Sequence, residues 1–280
     1  MSEQPSHHQA VNLTRRSLAA LTLASLIPDV AMSTPSAAIL ANEHHQHMKP
    51  MFAGPPLKVA MLVYPQMVLL DLVGPQTILK IIGCDIHLVW VDRNPVETDV
   101  GLQITPTDTT ETCPQDLDVL FVPGGLMGSI ACMNNQIIVD FLVNRAATSK
   151  YVTSVCTGSL VLAAAGLLRG YRATSHWGVV DILSVMGAIP SHERVVRDRN
   201  RITGAGVTAG LDFGLTLAAE LRGKAAAEHA QLIIQYAPQP PFHHGDPSEI
   251  SDAQMEAERS RRTWMDGKAL EAAKMAAERI

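Results

Sequence analysis

The chain has 280 residues, a formal net charge of −5, and 47% hydrophobic and 18% charged residues, enough for one large α/β domain or two small ones. Its acidic balance and the lack of a basic stripe argue against a chain built to hold nucleic acid, and beyond residue 56 no apolar run approaches the ~20 residues that span a bilayer, so no stable membrane insertion is expected. Cys84, Cys113, Cys132 and Cys156 show no CxxC spacing, which argues against a zinc ribbon or a disulfide framework and for one reactive thiol among structural ones.

Residues 1–56 are rich in Ser, His, Pro and Ala and read as a leader and linker. Thr14-Arg15-Arg16-Ser17-Leu18 resembles a twin-arginine export signal, followed by a short apolar stretch over 18–27 and small residues at Ser36-Ala37-Ala38 suited to cleavage. The expectation is a protein exported already folded, to the periplasm or beyond; a cytoplasmic protein with a chance arginine pair is the alternative. His44, His45 and His47 read as solvated linker residues and not as a metal site.

From Leu57 the texture changes. Residues 57–63, LKVAMLV, suit a strand buried on both faces. Tyr64-Pro65 turns the chain, and a helix is predicted over 76–82, closed by Gly83. Asp71 stands in the intervening LLDLVGP stretch among aliphatic neighbours. If it is buried, its charged form is disfavoured and its pKa rises; if it caps the helix it faces water. Both options stand at this point. Residues 85–91 predict the next strand, 94–115 short strands and loops, and 118–122 a strand running into Pro123-Gly124-Gly125, a turn whose N–H groups can point into a pocket. A helix over 136–147 follows.

In YVTSVCTGSLVLAAAGLLRG, residues 151–155 read as a strand and 160–168 as a helix closed by Gly170, so Cys156 sits at the corner between them, in the pattern of a nucleophile elbow. A thiolate there would face the positive end of the helix, which lowers a cysteine pKa. A buried cysteine is equally an ordinary small hydrophobe. His176 opens a predicted helix over 176–186 and is a candidate base, although a histidine there is commonly a hydrogen-bonded structural residue. Residues 193–196 and 201–203 predict a hairpin, 208–221 and 225–236 helices, and 251–280 has helical composition on both sides of Gly267. Strand followed by helix, repeated, predicts right-handed crossovers and a mostly parallel sheet covered on both faces. The expected division is a leader and linker over 1–56, an α/β domain over 57–249 and a helical extension over 250–280, too short for a DNA-binding module of two helix-turn-helix units.

Asp71 in LLDLVGPQ, the PGG turn, SVCTGSLVLAAAGLL, RATSHW, GAGVTAGLDFGL and QYAPQPPF together resemble the ThiJ/PfpI superfamily of class I glutamine-amidotransferase-like folds, and within it the isocyanide hydratases, over 57–249. The resemblance implies a flavodoxin-like three-layer α/β sandwich, usually a homodimer, with the acid from the loop after the first strand beside the elbow cysteine. It implies Cys156 as nucleophile, Asp71 as general acid and base, and Gly124, Gly125 and Thr157 as donors to the developing charge, with no metal or organic cofactor. Protease-like members carry His directly after the cysteine; Thr157 cannot act as that base. The implied reaction is hydration of a small-molecule isocyanide to an N-substituted formamide through a thioimidate. The alternatives are a glyoxalase or deglycase acting on small dicarbonyls, and a non-catalytic sensor of the regulator type without its DNA-binding tail.

Overall fold

The computed structural model describes residues 54–280; the expected export signal and the linker histidines lie outside them. The first strand, β1 (Leu57–Leu62), is followed by α1 (Leu69–Ile81), β2 (Cys84–Trp90), the short strands β3 (Val96–Glu97), β4 (Gln103–Ile104) and β5 (Asp108–Thr109), and β6 (Val119–Val122). Next come α2 (Leu126–Met133), α3 (Gln136–Ala146), β7 (Tyr151–Val155) and α4 (Gly158–Ala164). The chain then forms β8 (Arg172–Ala173), a 3₁₀ turn (Val180–Met186), β9 (Ile189–Pro190), β10 (Val195–Asp198), β11 (Arg201–Gly204), α5 (Ala209–Arg222), α6 (Lys224–Ile233) and α7 (Asp252–Ala277).

Seven strands form one sheet in the order β10-β11-β7-β6-β1-β2-β5, parallel except for the β10–β11 hairpin. The continuous apolar runs occupy its middle: β6 is buried throughout, as are the last four residues of β1 and of β7, which is what helices on both faces of a parallel sheet require. α1, α5 and α6 pack together as one helical layer, and α2, α4, the 3₁₀ turn and α7 as another. This is the expected flavodoxin-like α/β sandwich.

Several elements differ from the sequence expectation, each for a local reason. α1 begins at Leu69 and not at residue 76, with Pro75 inside it and Asp71 in its first turn. Proline there removes one backbone bond, and burial of Leu72, Ile78 and Leu79 carries the helix through it. α2 was not expected at all: it is eight residues long and includes Gly128 and Ser129, which weaken any helical signal. α4 stops short of Gly170 because Gly166 takes a left-handed φ of 72° and lets Leu167 N–H bond the Leu162 carbonyl at 3.0 Å. The segment expected as a helix over 176–186 is a 3₁₀ turn that begins at Val180. Finally, α7 runs unbroken through Gly267, started by a reciprocal Ser251–Gln254 capping box. Its buried stripe is Ala269, Ala272, Ala273 and Ala276, small residues at helical spacing that let it lie close on the domain.

Candidate active site

Asp71, Gly124 and Cys156 follow β1, β6 and β7, three neighbouring parallel strands, so the sheet delivers them to one place at its carboxyl edge. Cys156 has a left-handed φ of 53°, a conformation that costs a non-glycine residue ~1–3 kcal/mol and persists only where the surroundings hold it. Here its N–H reaches the Gly204 and Ala205 carbonyls at 3.0 and 2.7 Å, and its own carbonyl accepts from the Ser159 and Ser175 hydroxyls at 3.1 and 2.9 Å. The elbow turns against the end of β6: a Cβ on Gly158 would collide with the Val122 and Pro123 carbonyl oxygens, so only glycine lets the two strand ends meet.

Asp71 is fully buried. Its Oδ2 accepts the Gly124 N–H at 2.9 Å, while Oδ1 has no hydrogen-bond partner among the described residues. A Cβ on Gly124 would lie 2.6 Å from Asp71 Oδ2 and 2.7 Å from Cys156 Cβ, so the Asp71 and Cys156 side chains close on the same point. Burial pushes the Asp71 carboxyl up to about 7 against the lowering effect of Gly124 N–H and the Cys156 thiol. This is the buried alternative of the two open for Asp71.

The thiol departs from expectation. Burial, then the neighbouring Asp71 charge, hold the Cys156 pKa well above the ordinary cysteine value, although the Thr157 N–H and the Arg262 charge act the other way. The helix-end effect expected to lower it is outweighed because Cys156 is almost wholly removed from water, and a thiolate loses more solvation than one helix terminus returns.

The two glycine donors are already engaged. Gly124 N–H is on Asp71, and Gly125 N–H donates to Thr157 Oγ1 at 2.9 Å. Thr157 Oγ1 also lies 2.8 Å from Ser129 Oγ. The backbone group that favours a thiolate is the Thr157 N–H, next along the chain.

His176 accepts the Gly178 N–H on Nδ1 at 3.2 Å, and burial, with the nearby Arg262 charge, lowers its pKa to about 4, so it is neutral near pH 7. It lines a cavity of about 700 Å³ together with Ser175, Trp177, Val207, Met255 and Arg259. Two walls of this cavity, Ser175 and Ala205, are hydrogen-bonded to the Cys156 backbone. Another cavity of about 710 Å³, around Lys58, Asp116 and Lys150, lies at the opposite, amino edge of the strands, away from the thiol. Among the described residues no cluster of His, Cys, Asp or Glu could hold a metal ion, and no single helix is long and apolar enough to cross a membrane.

Sequence reasoning missed Tyr64, Ser129 and Arg262. Arg262, from α7, stacks over the Trp177 ring at 5.3 Å, pairs with Asp266 at 2.9 Å and fills the space a Cβ on Gly178 would take. Nothing local in the sequence connects it to a cysteine more than a hundred positions earlier.

Residues 57–220 match the DJ-1/PfpI family. The chain is 50% identical over 206 residues to the isonitrile hydratase of Pseudomonas putida, covering 73% of this chain and 90% of that one. It is 35% identical over 142 residues to the HTH-type transcriptional regulator GbdR of Pseudomonas aeruginosa, but spans only 37% of that protein. Among solved structures, a THiJ/PfpI family protein from Pseudomonas syringae superposes with a TM-score of 0.77 at 48% identity, over 82% of this chain and 94% of that one. With the elbow cysteine, the acid after the first strand and the sheet order all in place, the chain belongs to the DJ-1/PfpI family.

Proposed function

We propose that the protein hydrates small isocyanides to N-substituted formamides. The observation that carries this reading is the pairing of a buried Cys156 with a buried Asp71 whose Oδ1 is unengaged and whose pKa is raised to about 7. Similarity to the Pseudomonas putida isonitrile hydratase supports it. A carboxyl that changes protonation near neutrality can take a proton and return it in one cycle.

In this mechanism the Asp71 carboxylate takes the Cys156 thiol proton as sulfur bonds to the terminal isocyanide carbon, and the same proton passes to that carbon, giving the thioimidate R–N=CH–S. Water then adds to the carbon while Asp71 relays one of its protons to nitrogen. Collapse of R–NH–CH(OH)–S expels sulfur with its bonding pair, the hydroxyl proton returns to the Asp71–Cys156 pair, and R–NH–CHO leaves. One isocyanide and one water are consumed, and the balance requires no metal or organic cofactor. The Thr157 N–H steadies the sulfur whenever it carries charge. The substituent R extends into the cavity beside Ser175 and Ala205.

The test is purified protein with an alkyl or aryl isocyanide, following formamide by chromatography. Cys156→Ala should lose at least the ~10²-fold typical of a missing catalytic group while Cys84→Ala keeps turnover. Turnover of small dicarbonyls with no formamide formed, or a Cys156→Ala enzyme at the wild-type rate, would overturn the proposal. We further propose, from the Arg15-Arg16 pair before an apolar stretch, that the enzyme is exported from the cytoplasm, and, from its family resemblance, that it works as a homodimer. Replacing Arg15 and Arg16 by Lys should then retain full-length protein in the cytoplasm, and light scattering should give twice the chain mass.

A further inference from the structure

A line of hydroxyls runs behind the site through groups that the mechanism above does not use. Tyr64 Oη lies 2.6 Å from the Pro123 carbonyl oxygen and 3.1 Å from Ser129 Oγ, which lies 2.8 Å from Thr157 Oγ1, which accepts the Gly125 N–H at 2.9 Å. Counting donors gives the direction. The Pro123 carbonyl can only accept, so the Tyr64 hydroxyl donates to it; Ser129 then donates to Tyr64, and Thr157 to Ser129. In this arrangement every hydroxyl proton has an acceptor. All three side chains are buried, so none can exchange its partner for bulk water.

What this line grips is the turn after β6. Tyr64 holds the Pro123 carbonyl and Thr157 holds the Gly125 N–H, and between these two fixed points lies Gly124, whose N–H is on Asp71. Two consecutive glycines form the most permissive of backbones, so the aim of that N–H depends on restraint from outside the turn. The packing agrees: Gly125 has φ 130° against the Gln66 carbonyl, and Gly128 lets α2 close over Pro65 and the Tyr64 ring.

We propose that Tyr64 and Ser129 are positioning residues, fixing the Pro123-Gly124-Gly125 turn so that the Gly124 N–H stays on the Asp71 carboxyl throughout the reaction. The inference rests on the reading of Asp71 as the proton carrier. The ionisable groups facing Asp71 are Cys156 from the elbow and Asp99 from the loop after β3, which accepts the Leu69 N–H at 2.9 Å; Tyr64, with Cys132 beside it, comes from the first turn. None of the variants below removes Asp71, Asp99 or either cysteine.

The experiment measures the rate of Cys156 alkylation by iodoacetamide against pH, by peptide mass spectrometry, alongside the pH profile of isocyanide hydration. It uses the full chain as wild type, Tyr64→Phe and Ser129→Ala. Thr153→Val is the control, because it removes an equally buried hydroxyl, bonded to the Leu120 carbonyl at 3.0 Å, outside the line. The wild-type alkylation rate should rise through an inflection near the Asp71 value. Losing the N–H that favours the carboxylate should move that inflection upward by roughly half a pH unit or more in Tyr64→Phe and Ser129→Ala, and not in Thr153→Val. kcat should fall more than KM rises. Unmoved inflections, or one moved as far in Thr153→Val, would overturn the proposal and leave the hydroxyls a packing role. Should the protein form no formamide while the inflection still moves, the proposed reaction is wrong and the positioning stands.

Discussion

On the proposed mechanism, Asp71 ties activity to stability with opposite signs. Its carboxyl is held at about 7 in the fold, against ~3.9 in an unfolded chain. A folded value above the unfolded one means that below pH ~4 both states are protonated and nothing is lost; between about 4 and 7 the unfolded state ionises while the folded state resists; above 7 the destabilisation is complete and constant. Asp71→Asn keeps the shape and the acceptor for Gly124 N–H but carries no charge. It should therefore melt several degrees above wild type at pH 8, by calorimetry, with the gap closing toward pH 4, while hydrating isocyanides at least ~10²-fold more slowly. The aliphatic neighbours of Asp71 made burial one of two options in the sequence, the other being a helix cap facing water, and only the resemblance to a family favoured burial. The Cys156 value was not legible, because the elbow pattern reports the helix end near the sulfur and says nothing of how completely the rest of the molecule covers it.

α7 was expected as a helix, and it is one, but the reading stopped there. Its composition announces a helix, but its buried stripe is alanine and its total hydrophobic signal is weak, so neither its docking face nor its reach toward the site could be read. Arg262 acts on both Cys156 and His176, lowering each. Arg262→Gln should push the Cys156 thiol still higher, slowing iodoacetamide alkylation at pH 7.5 by roughly 3–10-fold, while Arg262→Lys, which keeps the charge but not the bidentate hold on Asp266, recovers part of the loss. An unchanged alkylation rate in Arg262→Gln would show that the helix covers the site without acting on it. At the other end of the chain, Pro75 concealed the first two turns of α1, because proline is a better marker of a helix start than of a helix interior.

Across the whole molecule, the strands were legible because parallel strands buried on both faces must be continuous apolar runs: residues 57–63 were expected and β1 is Leu57–Leu62. The sheet order was not, since it depends on pairings between segments up to about sixty residues apart that leave no local mark, as when Val59 of β1 meets Val119 of β6. The described cysteines are all free and buried, and Cys84 and Cys132 are pushed up to about 12 by burial. Burial raises Cys113 and Cys156 as well, so native protein treated with limiting iodoacetamide at pH 8 should be labelled slowly at every cysteine, all four sites reacting readily only in denaturant, and reductant should leave Tm unchanged. The close approach of the elbow after β7 to the end of β6 has a further consequence for how this scaffold can change. With Gly124, Gly125 and Gly158 each pressed on backbone or on Asp71 and Cys156, almost any side chain placed there would displace those residues before it altered what the site accepts. On the proposed placement of the substituent, selection for new substrates is channelled away from the sheet edge, and adaptive substitutions should gather instead on the cavity wall made by Trp177, Val207, Met255 and Arg259.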